Sequence, residues 1–179
     1  MKKLPSLTAL GLGTLLLPSH LLGLDLNLRP DSAGFRGGWD AESEVSLTEI
    51  SAYAVSPAWQ SWSLGERSSL SLAFEGQFGG LHGEGETAVF AAIAPKLILS
   101  CTEFPLRIAL SSGPAVYSED TFGDYDIGNN FQFVSGIDIE YSLNDHWALG
   151  YRFQHTSNAG LSDENPGLNM HLLSLAHHF

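Results

Sequence analysis

Apolar and polar residues alternate with period two through most of this chain. In SLSLAFEGQF, Leu70, Leu72, Phe74 and Phe78 share one face, and Ser71, Glu75 and Gln77 share the other. In LRIAL, Leu106, Ile108 and Leu110 oppose Arg107. In FQFVSGIDIEY, Phe131, Phe133, Ile137, Ile139 and Tyr141 oppose Gln132, Asp138 and Glu140. In WALGYRFQHTS, Trp147, Leu149, Tyr151 and Phe153 oppose Arg152 and Gln154. The run AVFAAIAPKLIL is apolar on both faces apart from Lys96, and NMHLLSLAHHF carries Leu173, Leu175 and Phe179 on one face. Alternation of this kind marks strands. Two further strands, over 47–55 and 33–39, bring the expected number to eight.

Which face is covered decides the fold class. A soluble sandwich buries its apolar face, whereas a membrane barrel turns that face to lipid and keeps polar residues inside. Strands of about ten residues suit a tilted bilayer crossing. Trp147, Tyr141, Tyr151 and Phe179 lie on the apolar face, where an interfacial girdle would stand. The polar face carries both signs, Glu75, Asp138 and Glu140 with Lys96, Arg107 and Arg152, and these are able to pair inside a small closed barrel. The reading is an all-β, eight-stranded antiparallel transmembrane β-barrel of the bacterial outer membrane. The rival fold is a secreted β-sandwich that binds a ligand.

Composition narrows the function. Eight Lys+Arg against 20 Asp+Glu exclude the basic footprint that nucleic acid requires. Cys101 is the single cysteine, so neither an internal disulfide nor a cysteine-based zinc site is available. Residues 1–23 have the layout of a signal peptide, with Lys2 and Lys3 ahead of an apolar core over 7–17, and with no defined cleavage motif. The barrel is then expected over 24–179, exported through the inner membrane.

Connection lengths set the polarity. Short turns at 101–105 and 142–145 belong on the periplasmic side, and longer acidic, glycine-rich connections at 79–86, 117–130 and 158–168 outside. The strand that ends in His155 and Ser157 therefore rises toward the exterior, and both side chains continue its lipid-facing parity. Two residues apart on a strand, they point the same way. A neutral histidine there can take a serine proton as the hydroxyl attacks an ester carbonyl. The last strand can set Asn169 or His171 on the same face, and Asn158 offers an amide for an oxyanion.

The stretch HTSNAGLSDENPGLN, 155–169, resembles the signature of PagL-type lipid A 3-O-deacylases. That signature has the form H-x-S-N-A-[GS], a short loop with N-x-G, then an acidic residue on the final strand. The resemblance implies an eight-stranded outer-membrane barrel that hydrolyses the ester-linked 3-position acyl chain of lipid A without a cofactor. It implies His155 as base, Ser157 as nucleophile, and Asn158, Ala159 and Gly160 around the oxyanion. The position of the family's acid is held by Asn169, a departure; Asp163 and Glu164 lie in the adjoining loop. Expected partners are lipid A or lipopolysaccharide and outer-membrane lipids, with a homodimer left open. The alternative is a non-catalytic barrel on the same scaffold. Among other features, His177 and His178 point to opposite faces, and SEDTFGDYD lacks calcium-loop spacing.

Overall fold

A computed structural model of the chain describes residues 29–41 and 46–179. The expected leader at 1–23 lies outside the described residues. The strands are β1 (Ser32–Asp40), β2 (Thr48–Val55), β3 (Gln60–Ser63), β4 (Ser68–Gly83), β5 (Glu86–Cys101) and β6 (Leu106–Tyr117). They continue with β7 (Thr121–Phe122), β8 (Tyr125–Asp126), β9 (Phe131–Ser142), β10 (Trp147–Ser157) and β11 (Leu168–His178). All pairings are antiparallel. They run β1–β2–β4–β5–β6–β9–β10–β11 and return from β11 to β1. The strands β2 and β3 flank β4 one below the other: Val55 faces Glu75, and Gln60 faces Leu72. They fill one position in the wall, interrupted at 56–59 where Pro57 has no N–H to give. The result is a closed eight-position barrel. A sandwich is thereby excluded.

The two faces are inverted relative to a water-soluble protein. Phe35, Ile50, Phe78, Leu110, Ile137, Leu149 and Leu173 are exposed on the outer wall. Inside, Arg36 donates to both carboxylate oxygens of Glu75 at 2.9 and 2.8 Å, and Lys96 donates to Glu75 at 2.7 Å. Asp138 joins the cluster, accepting from Arg152 at 2.8 Å and from Arg36 at 3.2 Å. One layer further along, Glu49 accepts from Ser51, Gln77 and Gln154 at 2.8–2.9 Å. Unpaired, such charges would be costly in a dry interior; paired and hydrogen-bonded, they tie six strands across the lumen.

Toward the outer end the lumen turns apolar. Leu47, Leu81, Phe90, Phe122, Ile127, Leu168 and Met170 form one buried cluster. Phe122 and Ile127 come from the 118–130 connection, which folds inward as the β7–β8 hairpin and stoppers the barrel. This segment is therefore more than the solvated acidic loop that its composition suggests.

Two other expectations change. The connection at 79–86 is mostly strand: β4 runs to Gly83, β5 restarts at Glu86, and only Glu84 and Gly85 turn the chain. Both have positive φ, 51° and 87°, as a two-residue primed hairpin turn requires. Tyr151 lies at mid-strand rather than in a girdle, where its hydroxyl is 2.6 Å from His171 Nδ1. The aromatic end-belt is instead built from Trp147, Tyr141 and Phe179, all exposed, with Trp59, Trp62 and Phe104.

Candidate active site

The barrel's pairing register brings the candidate residues together. In the β10–β11 ladder His155 is directly opposite Asn169, and in the β9–β10 ladder it is opposite Ser135. Ser135 is in turn opposite Ser112 of β6, and their hydroxyls are 2.8 Å apart. The register on either side of the β5–β6 gap sets Pro95 opposite Ser112. One row of the outer wall therefore reads Pro95, Ser112, Ser135, His155, Asn169. The next row toward the periplasm carries the larger Leu97, Leu110, Ile137 and Phe153. Small side chains beside large ones leave a shallow apolar groove of about 580 Å³, which begins at His155 and runs past Ser135 and Ser112 to Pro95 and Leu72. It crosses four inter-strand spacings, roughly 19 Å.

At the groove's head, His155 Nδ1 and Asn169 Oδ1 are 2.8 Å apart. With Nδ1–H donating to that amide oxygen, Nε2 is left unprotonated, the form that accepts a proton. Ser157 follows two residues on along the same outer face and is half-buried. Among the described residues no hydrogen bond joins its hydroxyl to His155. Such contacts are often long in the absence of substrate and tighten when it binds. Neither Asp163 nor Glu164 has a carboxylate bonded to His155 among the described residues; both are exposed in the loop.

The three residues expected around an oxyanion are placed differently from one another. Asn158 is fully buried. Its Nδ2 donates to the carbonyls of Glu164 (2.7 Å) and Ile127 (3.3 Å), and its Oδ1 accepts the Gly160 N–H at 2.9 Å. Its own N–H donates to Asn165 Oδ1 at 3.1 Å. Asn158 is thus the knot of the loop that follows Ser157, and both it and Gly160 have their donors engaged. Ala159 lies between them at φ 55°, a conformation that costs an alanine energy and re-aims the backbone. Among the described residues, nothing accepts its N–H.

Two residues at the site were not singled out from the sequence. Gly167, at φ 74°, lies so close to the His155 ring that a methyl group there would come within 3.0 Å of Cε1 and 3.7 Å of Nε2. The Tyr125 hydroxyl donates to the Gly167 carbonyl. The N-x-G spacing after the serine is a signal for Gly167. Nothing local to Tyr125 marks it, because its role depends on the β7–β8 hairpin folding inward. His171 lies next to the site, opposite Phe153 and bonded to the Tyr151 hydroxyl, whereas His178 points inward to Glu140 (3.1 Å) and His177 outward, stacked on His146.

An eight-position antiparallel barrel with an apolar outer wall and a charged lumen belongs to the class of transmembrane β-barrels of the bacterial outer membrane. The comparisons with known proteins agree with this class and narrow it. The family model described as "Lipid A 3-O-deacylase (PagL)" matches residues 48–178, and the chain belongs to this family. It is 37% identical over 67 residues to lipid A deacylase PagL of Bordetella bronchiseptica; the aligned stretch spans 37% of this chain and 38% of that protein. The fold is similar to that in the structure titled "Crystal structure of the outer membrane enzyme PagL", with TM-score 0.72 and 20% identity, covering 83% of this chain and 99% of that one.

Proposed function

We propose that this protein sits in the bacterial outer membrane and hydrolyses the ester-linked acyl chain at position 3 of lipid A, with Ser157 as nucleophile and His155 as base. The observation that carries this reading is the His155–Asn169 contact on the outer wall, two residues from Ser157 and at the head of an apolar groove. An enzyme whose site faces lipid can take its acyl chain directly from the leaflet, with the sugar at the headgroup level.

Ser157 Oγ attacks the acyl carbonyl and its proton passes to His155 Nε2. The negative charge that develops on the carbonyl oxygen is met by the Ala159 N–H, which follows Ser157 by two residues and has no acceptor among the described residues. Collapse breaks the bond to the sugar oxygen, which takes the proton from Nε2. Water then attacks the acyl-serine ester and gives a proton to Nε2; that proton returns to Ser157 as the fatty acid leaves. The amide oxygen of Asn169 holds Nδ1–H throughout. The row of Leu97, Leu110, Ile137 and Phe153 along the groove suits an alkyl chain, and burying each methylene there contributes about 0.8 kcal/mol at most, less in lipid than in water.

Lipid A mass spectrometry of cells making the protein tests the reading. The wild type should release the 3-linked acyl chain, and Ser157→Ala should not, while its barrel remains heat-modifiable on gels. Undiminished release by a folded Ser157→Ala protein would reject the serine mechanism. A second reading, a barrel without catalysis, is favoured by one observation, the amide in place of a carboxylate at 169. No release by the wild type would support it.

A further inference from the structure

The β7–β8 hairpin is tied to the site at points that the chemistry above does not use. At its tip the Gly123 N–H donates to Glu86 Oε2 at 3.1 Å, which fixes it to the β4–β5 turn. At its flanks Phe122 and Ile127 are buried in the apolar stopper. From this double anchor two arms reach the β10–β11 loop: the Ile127 carbonyl accepts from Asn158, and Tyr125 donates to the Gly167 carbonyl. Gly167 in turn rests against the Cε1 edge of His155. Asn169 constrains the ring only at Nδ1, and one hydrogen bond leaves it free to tilt about that contact. A backbone wall beside Cε1, the ring atom next to Nδ1, limits the tilt on that side. At φ 74° and with no side chain, Gly167 supplies the wall without covering Nε2.

We infer that Tyr125 and Gly167 form a clamp that positions His155 for proton transfer, with the inward-folded hairpin as its rigid base. The inference rests on the proposed hydrolase reading for its kinetic consequence, though not for its structural one. Tyr125 acts through Gly167 and touches no reacting atom, so it is a positioning residue. Loosening the ring displaces Nε2 from its line to Ser157, which weakens the transition state more than the bound substrate.

Tyr125→Phe removes the hydroxyl and keeps the ring. Turnover on lipid A micelles should fall roughly tenfold, with KM within twofold and the heat-modifiable folded band unchanged. In detergent, the imidazole Cε1–H NMR signal of His155 should move, while those of His146 and His177 at the far end stay in place. Gly167→Ala should shift the same signal and lower turnover further, because the methyl group meets the ring itself. Turnover within twofold of wild type in Tyr125→Phe overturns the inference, as does lost turnover with an unmoved His155 signal. Absence of activity in the wild type would reject the hydrolase reading alone, since the His155 signal still tests the clamp.

Discussion

Replacing Asn169 with aspartate tests how the histidine is assisted. The two side chains are isosteric, so the 2.8 Å contact with His155 Nδ1 is kept while a neutral acceptor becomes an anion. The anion matters only when the ring carries charge, as it would on the proposed mechanism while Ser157 attacks. A carboxylate with its charge ~4 Å from the centre of an imidazolium gains about 4 kcal/mol at an effective dielectric of 20 and about 1 kcal/mol in water. His155 is exposed and Asn169 half-buried, so screening places the gain between those limits, and part is offset by holding a partly desolvated anion beside a neutral ring. A net ~1–2 kcal/mol corresponds to roughly 5- to 30-fold in turnover. The assay is single-turnover release of the 3-linked acid from purified lipid A, quantified by mass spectrometry, with refolded protein in excess. Asn169→Asp should raise the rate constant with little change in the concentration at half-saturation. A folded Asn169→Asp protein no faster than wild type would refute the argument that charge on the histidine limits the step.

Three other outcomes follow from the wall and the lumen. Phe153→Arg puts a charge on the lipid face at a cost of up to ~2–4 kcal/mol near the midplane and should reduce assembly into membranes, whereas Phe153→Leu should assemble normally; equal assembly would mean that the faces are misassigned. Glu75→Gln leaves Arg36, Lys96 and Arg152 around a neutral amide and should lower stability by about 3–5 kcal/mol, read as a lower urea midpoint for loss of the heat-modifiable form. Gln154→Ala strips a donor from Glu49 and an acceptor from Arg152, so it should cost about 1–3 kcal/mol in the same urea titration.

Much of this arrangement can be read from the chain because a strand's side chains alternate. On β9, β10 and β11 the alternation is unbroken, so the lipid-facing parity of His155, Ser157 and Asn169 follows from that of Leu149 and Leu173, and antiparallel pairing makes the His155–Asn169 contact a natural consequence. Where glycine replaces side chains, the pattern fades. In GFRGGW the pleat hides Arg36, whose guanidinium anchors Glu75; Gly34 leaves its space to the Tyr53 ring, and Gly38 to the β11 backbone. The GEGE segment reads as a loop because glycine is as common in tight hairpins as in long connections, and only the positive φ of Glu84 and Gly85 separates the two. The inward fold of the β7–β8 hairpin rests on two apolar residues, Phe122 and Ile127, scattered among acids with no period to betray them. Tyr125 was unreadable for the same reason.

Strand β10 shows why a site on the outer wall is physically workable. Its even positions, Arg152, Gln154 and Thr156, are buried in the lumen, and the first two are bonded to Asp138, Ser111 and Glu49. Its odd positions, Phe153, His155 and Ser157, face outward. A side chain in lipid has few neighbours to hold it, and a catalytic pair requires its geometry kept within a fraction of an ångström. Here the strand is pinned from the inside by charge and hydrogen bonds that have no part in the chemistry. The outer face is then steadied at its two open edges, by Asn169 along the ladder and by Gly167 from the loop. On the proposed mechanism the partition would let an amide serve at 169: the lumen supplies the rigidity, so that position has only to orient a ring already held on a fixed strand. The carboxylate's charge becomes a gain in rate and not a condition for the site to form.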